Sequence, residues 1–530
     1  MSLNDTEQYT AEGRQTTDID PVGPGQSIPA WLLLAIGTYT AAYGTLAVRK
    51  HATFHSFVFD LGIMCQVLWN TAYGRLMEIS LDRAESAALI GNYLGNHVRP
   101  ILLLLAPVYR LYADPRLLLV LQPVVLALGA IPLFWIARRY LKSGLAVTCI
   151  VLCYLMYPAL GYMNLFDFHP IIISIPLIFL AYWALISQRR FLFWFSIILA
   201  LSTKEELAIP IAAFGIYCLF RQGWRRKGMA LIAISLIWLC LCLMFVIPFF
   251  NEGRPYRFVS LWNHLFVDST SPIDLITVKA ENTIGASNKL SFLTHLLLPL
   301  GFLPLLEPSI LAITIPSVVY LLLGNDPALH TIGYQYPAVL VPWLFLAAVM
   351  GFHKIERIFA SRSTLFPKWT MVSPLIMGCI VSSVIFSPIL FHWTSGAFSE
   401  TDYQEDITDA LGQLPPDARV ATINSIGARL ANRRYLICLD RYPAERIESH
   451  LKEIDYVVLD LVDCRAVKSP HQRETYSYMI NSIIDTGEFG VQYWKGRILL
   501  LSRHSRQTAD LINVREYVDR LEDEAVPCWP

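Results

Sequence analysis

Short polar segments with ionisable side chains interrupt the long apolar runs of this sequence. Asp60 lies in FVFDLGIMCQVLW, and the segments NHVRP, NLFDFHP and STKEE contribute the other charged candidates, which are His97, Arg99, Asp167, His169, Lys204 and Glu205. Ionisable groups at membrane depth are costly, so they pair, face water or have a function. A carboxylate of this kind can take a proton from a hydroxyl group, and a nearby cation can stabilise a phosphate.

Each of these residues also has an ordinary structural interpretation. Asp60 could cap a helix, and the Arg99 side chain could extend to the lipid headgroups. Asp167 could be the N-cap of the next helix, because Pro170 suits a first helical position. At Lys204 three consecutive charges interrupt an apolar region, which is more than a connecting turn needs and favours a functional role.

Two later segments add candidate ligands for a phosphate or a sugar. Arg254 and Arg257 lie in a long loop, and His330 and Tyr334 lie in HTIGYQY before an apolar run. Arginine binds phosphate through paired hydrogen bonds, and Tyr or His side chains can bind a sugar or a phosphate oxygen. Each segment alone is a weak signal, so the argument depends on whether the chain brings them to one face.

The composition places these segments in a membrane protein. Of the 530 residues, 55% are hydrophobic and 16% are charged, and the mean hydropathy is +0.45. Soluble chains are about 25% charged, and apolar runs of about 15–24 residues suit helices that cross a bilayer. The basic and acidic residues balance at 42 each, so nothing indicates a nucleic-acid partner. The ten Cys residues contain no CxxC pair, so neither a zinc nor a redox motif is supported.

The apolar runs predict about eleven membrane spans within residues 29–395, after a disordered cytoplasmic tail at 1–28. The basic loops, such as 138–142 and 221–227, are expected in the cytoplasm. This orientation places the first loop, 49–96, with interfacial helices, and the loop 251–289 on the outer face. The segment 97–112 is too short to span comfortably, so we expect an interfacial or re-entrant helix. If it is interfacial, its two Arg side chains, Arg99 and Arg110, lie on one side of the membrane.

Residues 400–505 have the composition of a small extracytoplasmic α/β domain, followed by a C-terminal tail at 506–530. The segment ITDALGQLPPDARVAT predicts a helix, a proline turn and a strand, and IDYVVLDLV and RILLLSR predict two more strands. Neither a GxGxxG nor a GxxxxGK[ST] motif is present, so nucleotide binding there is unsupported. We expect this domain to stabilise the membrane part or to cap a substrate.

Several segments together resemble the bacterial membrane-protein family called domain of unknown function 2079. The resemblance rests on FDLGIMCQVLW, the long segment that begins NHVRPILLLLAPVYRLY, and then FDFHP, TKEELAIP and YQYPAVLVPWLFLAAVMG, which occur in order within about residues 50–500. Cys65 departs from the family pattern, because such proteins often carry a second acidic residue at this position.

That family in turn resembles the type C glycosyltransferases, and the resemblance implies a fold and roles for the candidates. The implied fold is an α-helical polytopic membrane protein with an acidic residue near the start of its first outer loop. Thr203-Lys204-Glu205 matches a TKG-like corner, and Asp167 or His169 matches an acidic corner before the following span. The resemblance implies Asp60 as the base, Asp167 as a second catalytic candidate, and the other named residues as phosphate, substrate or metal partners, namely His97, Arg99, His169, Lys204, Glu205, Arg254, Arg257, His330 and Tyr334.

The expected function is transfer of a sugar from a polyprenyl-phosphate donor to an unknown acceptor on the outer face of the inner membrane. Membrane lipid is the expected surrounding partner, and a divalent metal is left open as a cofactor. Two alternatives stay open. One is a transporter or flippase of a lipid-linked or small anionic substrate. The other is a non-catalytic scaffold of the same fold, which Cys65 favours because it replaces a second acidic residue. The enzyme hypothesis predicts that Asp60, Asp167 and Lys204 share one polar cavity.

Overall fold

The computed structural model describes residues 27–81, 89–254, 256–262, 287–360, 368–395, 398–399, 402–441, 444–463, 470–505 and 509–523. The predicted tail at 1–28 therefore lies almost entirely outside the described residues. Helices dominate the part up to residue 395, as the apolar runs predict, because a helix pairs its own backbone groups where no water is available. The protein is a polytopic membrane protein with a small α/β domain at its C-terminal end.

The helices of the membrane part follow the apolar runs closely. Their bounds are α1 Ala30–Ala52, α2 Ile63–Ala72, α3 Ile101–Leu111, α4 Pro115–Leu128, α5 Ala130–Tyr140, α6 Gly144–Leu155, α7 Pro158–Leu165, α8 Ser174–Ile186, α9 Arg190–Leu201, α10 Ala208–Leu219, α11 Arg225–Cys240, α12 Ile247–Phe250, α13 Ser287–Leu297, α14 Pro308–Leu311, α15 Ile315–Leu323, α16 Val341–Ala360, α17 Lys368–Phe386 and α18 Pro388–Thr394.

Five helical stretches of the described chain are long and apolar enough to cross a membrane. They are Ala30–Ala52, Pro115–Tyr140, Gly144–Leu165, Arg225–Phe250 and Thr370–Trp393. Other apolar helices are shorter, because Pro and charged corners interrupt them, as before Ser174 and around Lys204. The number of about eleven spans stays a prediction.

The first loop after α1 contains one turn of π-helix, Val58–Gly62, followed directly by α2. A short antiparallel pair, β1 Glu78–Ile79 and β2 Gly91–Asn92, closes the loop before α3. Helix α3 has 11 residues, so it is about 16 Å long, roughly half the thickness of a bilayer core. The Arg99 side chain approaches Met64, and Arg110 donates to the carbonyl of Ala72, so α3 lies along α2 with an Arg near each end.

The C-terminal domain is a five-stranded mixed sheet with helices, as the three predicted segments indicated. Its strands are β3 Val420–Thr422, β4 Leu436–Cys438, β5 Tyr456–Asp460, β6 Gly490–Lys495 and β7 Ile498–Ser502, in the order β4-β3-β5-β7-β6. Strands β3, β4 and β5 are parallel, and β7 and β6 are antiparallel additions. Its helices are α19 Asp402–Gly412, α20 Asn424–Leu430, α21 Ala444–Leu451, α22 Pro470–Asp485 and α23 Ala509–Asp523.

The predicted tail at 506–530 is corrected by helix α23, Ala509–Asp523. Val514 and Val518 of this helix are buried in the core of the domain, and Tyr517 packs its ring against Trp494 of β6. The apolar side chains recur every three or four residues in ADLINVREYVDRLED, which gives the helix one face to bury. The domain therefore extends to at least Asp523.

Helix α20 attaches the C-terminal domain to the first loop. The Asn424 side chain accepts hydrogen bonds from the backbone N–H of Val58 at 2.9 Å and of Phe59 at 3.4 Å. Val58 fits a notch between Gly62 and Gly427, since a Cβ atom at either glycine would lie 2.7 Å from the Val58 side chain. This contact immediately precedes Asp60, so the domain supports the turn that carries that carboxylate.

Candidate functional site

A polar cavity of about 350 Å³ lies between the first loop and the ends of several helices. Five residues that the sequence singled out line it, namely Asp60, His97, Arg99, His169 and Lys204. The chain segments that carry them meet here because each forms a short connection at the end of an apolar helix. The structure thus brings together side chains from four separate parts of the sequence.

Asp60 projects from the single turn of π-helix before α2. Its Oδ1 atom lies 3.3 Å from Nε2 of His169. The other ring nitrogen of His169 faces the main-chain oxygen of Asp167 at 3.3 Å, so a protonated imidazolium would donate to both oxygens. The Asp60 side chain remains 24% exposed, which leaves the carboxylate accessible to a group in the cavity.

Asp167 lies outside the lining of this cavity, which corrects the expectation that it shares the cavity with Asp60 and Lys204. Its Oδ1 atom pairs with the Lys50 ammonium at 2.7 Å, and its Oδ2 atom accepts the backbone N–H of Phe57 at 2.9 Å. The side chain has no exposed surface. Both oxygens are therefore occupied by a structural role, which joins the end of α1 to the corner before α8.

Helix α4 fixes the conformation of the corner before α8. The buried Gln122 side chain donates to the main-chain oxygens of Met163 and Asp167 and accepts the backbone N–H of His169. Asp167 itself has a φ of 102°, a region that Asp and Asn tolerate better than most other residues. Gln122 and Asp167 thus fix the direction in which His169 faces Asp60.

Glu205 is the buried centre of a second group of contacts. It accepts from Nδ1 of His97 at 2.7 Å, from the backbone N–H of Val98 at 3.0 Å and from the Tyr256 hydroxyl at 2.8 Å. Burial alone would raise the pKa of Glu205, but the charge interaction and hydrogen bond with His97, together with the nearby Lys204 and Arg99, hold it below its usual value. The carboxylate positions His97, whose ring lies on the cavity wall.

The two cations of the cavity have different surroundings. Lys204 pairs with Glu206 at 2.9 Å and lies over the ring of Tyr336. Arg99 is 4% exposed, so it does not extend to the headgroups, and its Nη1 atom contacts the sulfur of Met64 at 3.8 Å.

Within the described part of the chain, Arg99 forms no ion pair, and its buried Nε atom has no hydrogen-bond partner. A buried cation without a carboxylate is costly. This arrangement therefore suits an anionic ligand.

Arg254, His330 and Tyr334 are not among the residues that line the cavity. Arg254 pairs with Glu252, and His330 is largely buried. The Tyr334 ring packs edge to face on Phe166. Arg257 begins a short helical turn, and its side chain lies outside the described residues.

Three further residues line the cavity although the sequence did not single them out, namely Tyr256, Tyr320 and Gln335. Gln335 belongs to the candidate segment HTIGYQY and Tyr256 lies between Arg254 and Arg257, so the sequence indicated their segments but not these side chains. Lys50 could have been noticed, because it is a cation at the end of α1 on the side where basic residues were not expected. Its burial and its pairing with a carboxylate 117 residues away appear only in the fold.

Two further expectations concern Cys65 and a metal ion. Cys65 is fully buried in α2 and is not among the residues that line the cavity. Burial raises the pKa of its thiol to about 12, so it stays neutral. Among the residues that the structure describes, no three His, Cys, Asp or Glu side chains converge as metal ligands. No residue is therefore assigned to a divalent metal.

Comparisons with known proteins agree with this architecture. The sequence matches a family model described as "Predicted membrane protein (DUF2079)" over residues 50–500. No curated protein matches the sequence. Among solved structures, ArnT from Cupriavidus metallidurans, determined bound to undecaprenyl phosphate, is similar with a TM-score of 0.50 and 12% identity, covering 91% of this chain and 99% of that chain. At this identity the similarity concerns the fold, which is of the type C glycosyltransferase class.

Proposed function

The chain belongs to the DUF2079 family of predicted membrane proteins, and we propose that it is a membrane glycosyltransferase. In this proposal it transfers a sugar from a polyprenyl-phosphate donor to an acceptor. The fold class and the cavity residues support the proposal together, since a fold alone hosts more than one function. The orientation of the basic loops supports a reaction at the outer face of the inner membrane.

The observation that carries the proposal is the buried Arg99 guanidinium in the cavity, which lies over the Tyr93 ring and forms no ion pair with any residue that the structure describes. A phosphate would supply the missing partner, because guanidinium and phosphate match in geometry and charge. Lys204 lies on the same cavity and adds positive charge, although Glu206 partly offsets it. The exposed apolar side chains of α3, which are Leu103, Leu104, Val108 and Leu111, would leave the lipid part of the donor next to the membrane.

The proposed reaction needs a proton acceptor and a stabilised leaving group. An acceptor hydroxyl attacks the anomeric carbon of the sugar, and its proton passes to the Asp60 carboxylate. The bond between that carbon and the phosphate oxygen breaks, and its electron pair stays on the oxygen. The departing polyprenyl phosphate thereby gains one negative charge, which Arg99 and Lys204 stabilise. His169 holds Asp60 in the orientation that faces the cavity.

Binding of undecaprenyl phosphate to the purified full-length protein tests the role of Arg99. We expect Arg99→Met to weaken binding by about 10–100-fold, since a hydrogen bond to a charged group is worth about 1.5–3 kcal/mol. Arg110→Met is the matched control, because Arg110 lies near the other end of α3 and, among the described residues, donates to the Ala72 carbonyl alone. Equal binding by the wild type and Arg99→Met would contradict the phosphate site.

The transporter alternative predicts a different outcome in reconstituted vesicles. A flippase moves an intact lipid-linked sugar from one leaflet to the other, whereas a transferase releases free polyprenyl phosphate. We therefore expect release of the lipid phosphate from a polyprenyl-phosphate-linked hexose when a membrane extract supplies acceptors. Movement of the intact conjugate between leaflets without any release would favour the transporter.

A further inference from the structure

Three polar atoms on the cavity wall are buried and lack a hydrogen-bond partner within the described residues. They are Oε1 of Glu206, the hydroxyl of Tyr320 and Oε1 of Gln335. Buried polar groups in folded proteins are nearly always paired, with protein or with a ligand or water. Three unpaired atoms around one cavity therefore indicate a ligand that supplies the missing partners.

The chemistry of these atoms defines what the ligand must present. The Glu206 carboxylate only accepts hydrogen bonds, and its other oxygen already faces the Lys204 ammonium at 2.9 Å. The Gln335 amide offers an acceptor, and the Tyr320 hydroxyl donates or accepts. The ligand must therefore present several hydrogen-bond donors on a compact framework, and the hydroxyl groups of a sugar ring meet that requirement.

The charge around Glu206 limits the sugar further. Lys204 neutralises Glu206, so the pair offers little net charge to a ligand. An acidic sugar would bring its carboxylate close to the unpaired Oε1 atom of Glu206. Among the described residues only Lys204 forms an ion pair with Glu206, so the two carboxylates would repel each other. An amino sugar would compete with Lys204 for the same carboxylate. A neutral sugar avoids both conflicts.

Aromatic rings frame the same part of the cavity. Trp262 donates from its indole nitrogen to the main-chain oxygen of Tyr320 at 3.0 Å, and the two rings meet edge to face. Tyr336 also lines the cavity, below the Lys204 ammonium. Ring faces of this kind pack against the C–H face of a sugar, while the polar atoms bind its hydroxyl groups.

We propose that Glu206, Tyr320 and Gln335 form a glycosyl subsite that binds a neutral, polyhydroxylated sugar ring and discriminates against uronic acids. This inference rests on the proposed transferase function, because the sugar would arrive attached to the phosphate held by Arg99. The residues that select the donor sugar are therefore distinct from Asp60, Arg99 and His169.

Binding of three probes to the full-length protein tests the subsite: undecaprenyl phosphate alone, its hexose conjugate and its hexuronic acid conjugate. We expect the hexose conjugate to bind at least about tenfold more tightly than the bare lipid phosphate, because paired hydroxyl groups replace unpaired polar atoms. The hexuronic acid conjugate should gain no such increment. Equal affinity for all three probes would overturn the subsite while leaving the phosphate site intact.

Variants distinguish this inference from the proposed function. Tyr320→Phe and, as a second variant, Gln335→Met should each reduce the hexose increment by about fivefold or more and leave bare undecaprenyl phosphate binding unchanged. Glu206→Gln should reduce the difference in affinity between the hexose conjugate and the hexuronic acid conjugate. An unchanged increment in both Tyr320→Phe and Gln335→Met would overturn the subsite, whereas failure of the wild type to bind any probe would overturn the proposed function itself.

Discussion

The substitution Asp167→Asn tests whether the carboxylate of Asp167 stabilises the fold through Lys50. Asparagine keeps the size of the side chain and tolerates the φ of 102° at this position. It can still accept the backbone N–H of Phe57, so the change removes mainly the charge opposite Lys50. Removing one partner of a buried ion pair costs about 3–5 kcal/mol. The Lys50 side chain retains 10% exposure, so we expect a loss near the lower limit, about 3 kcal/mol.

Thermal unfolding of the purified protein in detergent measures this loss. A destabilisation of about 3 kcal/mol should lower the melting temperature of a chain of this length by about 3 °C. Asp485→Asn is the control, because its partner Arg515 and Asp485 itself are both largely exposed, and an exposed pair contributes about 0–1 kcal/mol. Lys50→Met combined with Asp167→Asn should be more stable than Asp167→Asn alone, since no unpaired ammonium remains buried.

Two results would refute this reasoning. Asp167→Asn could melt at the wild-type temperature, or the double variant could be no more stable than the single one. Because Asp167 does not line the cavity, the folded Asp167→Asn protein should also transfer sugar at close to the wild-type rate, which separates its structural role from a catalytic one.

Three other predictions follow from the same structure. Asp60→Asn should lower the rate of sugar transfer by about 10²–10⁴-fold with unchanged binding of undecaprenyl phosphate, and full transfer activity would exclude Asp60 as the base. Gly427→Val should weaken transfer and expose the C-terminal domain to limited proteolysis, because the new valine side chain displaces the first loop. Gly412→Val should behave as wild type, since a side chain at that position meets open space. An impermeant thiol reagent on intact cells should label a cysteine introduced within 470–485 and not one within 221–227, and the reverse pattern would invert the proposed orientation.

Much of the fold is predictable from the sequence for a simple physical reason. Long apolar runs must form helices in a bilayer, and charged corners at their ends must share whatever polar space the bundle leaves. Asp60, His97 and Lys204 follow this rule, since each lies in a short connection and lines the cavity. The buried strand in IDYVVLDLV was likewise predictable from the sequence, because Tyr456–Asp460 consists mostly of β-branched and apolar residues.

The division of roles between the two aspartates could not be predicted. Asp60 and Asp167 have similar apolar surroundings in the sequence, and only the packing of α1 brings Lys50 to one of them. The pairing joins residues 117 positions apart, so no local pattern indicates it. Tyr320 poses the same difficulty, because a hydroxyl within an apolar segment has no characteristic spacing. Gln335 lies in the candidate segment HTIGYQY, but only the fold shows that its amide oxygen has no partner among the described residues.

A structure of the protein with undecaprenyl phosphate tests the central claim most directly. The account predicts that the phosphate lies in the cavity between the first loop and Lys204, with its oxygens about 3 Å from the Arg99 guanidinium. It also predicts that the Asp60 carboxylate faces the same space. A phosphate bound elsewhere, with Arg99 still against Met64 and the cavity empty, would contradict the account.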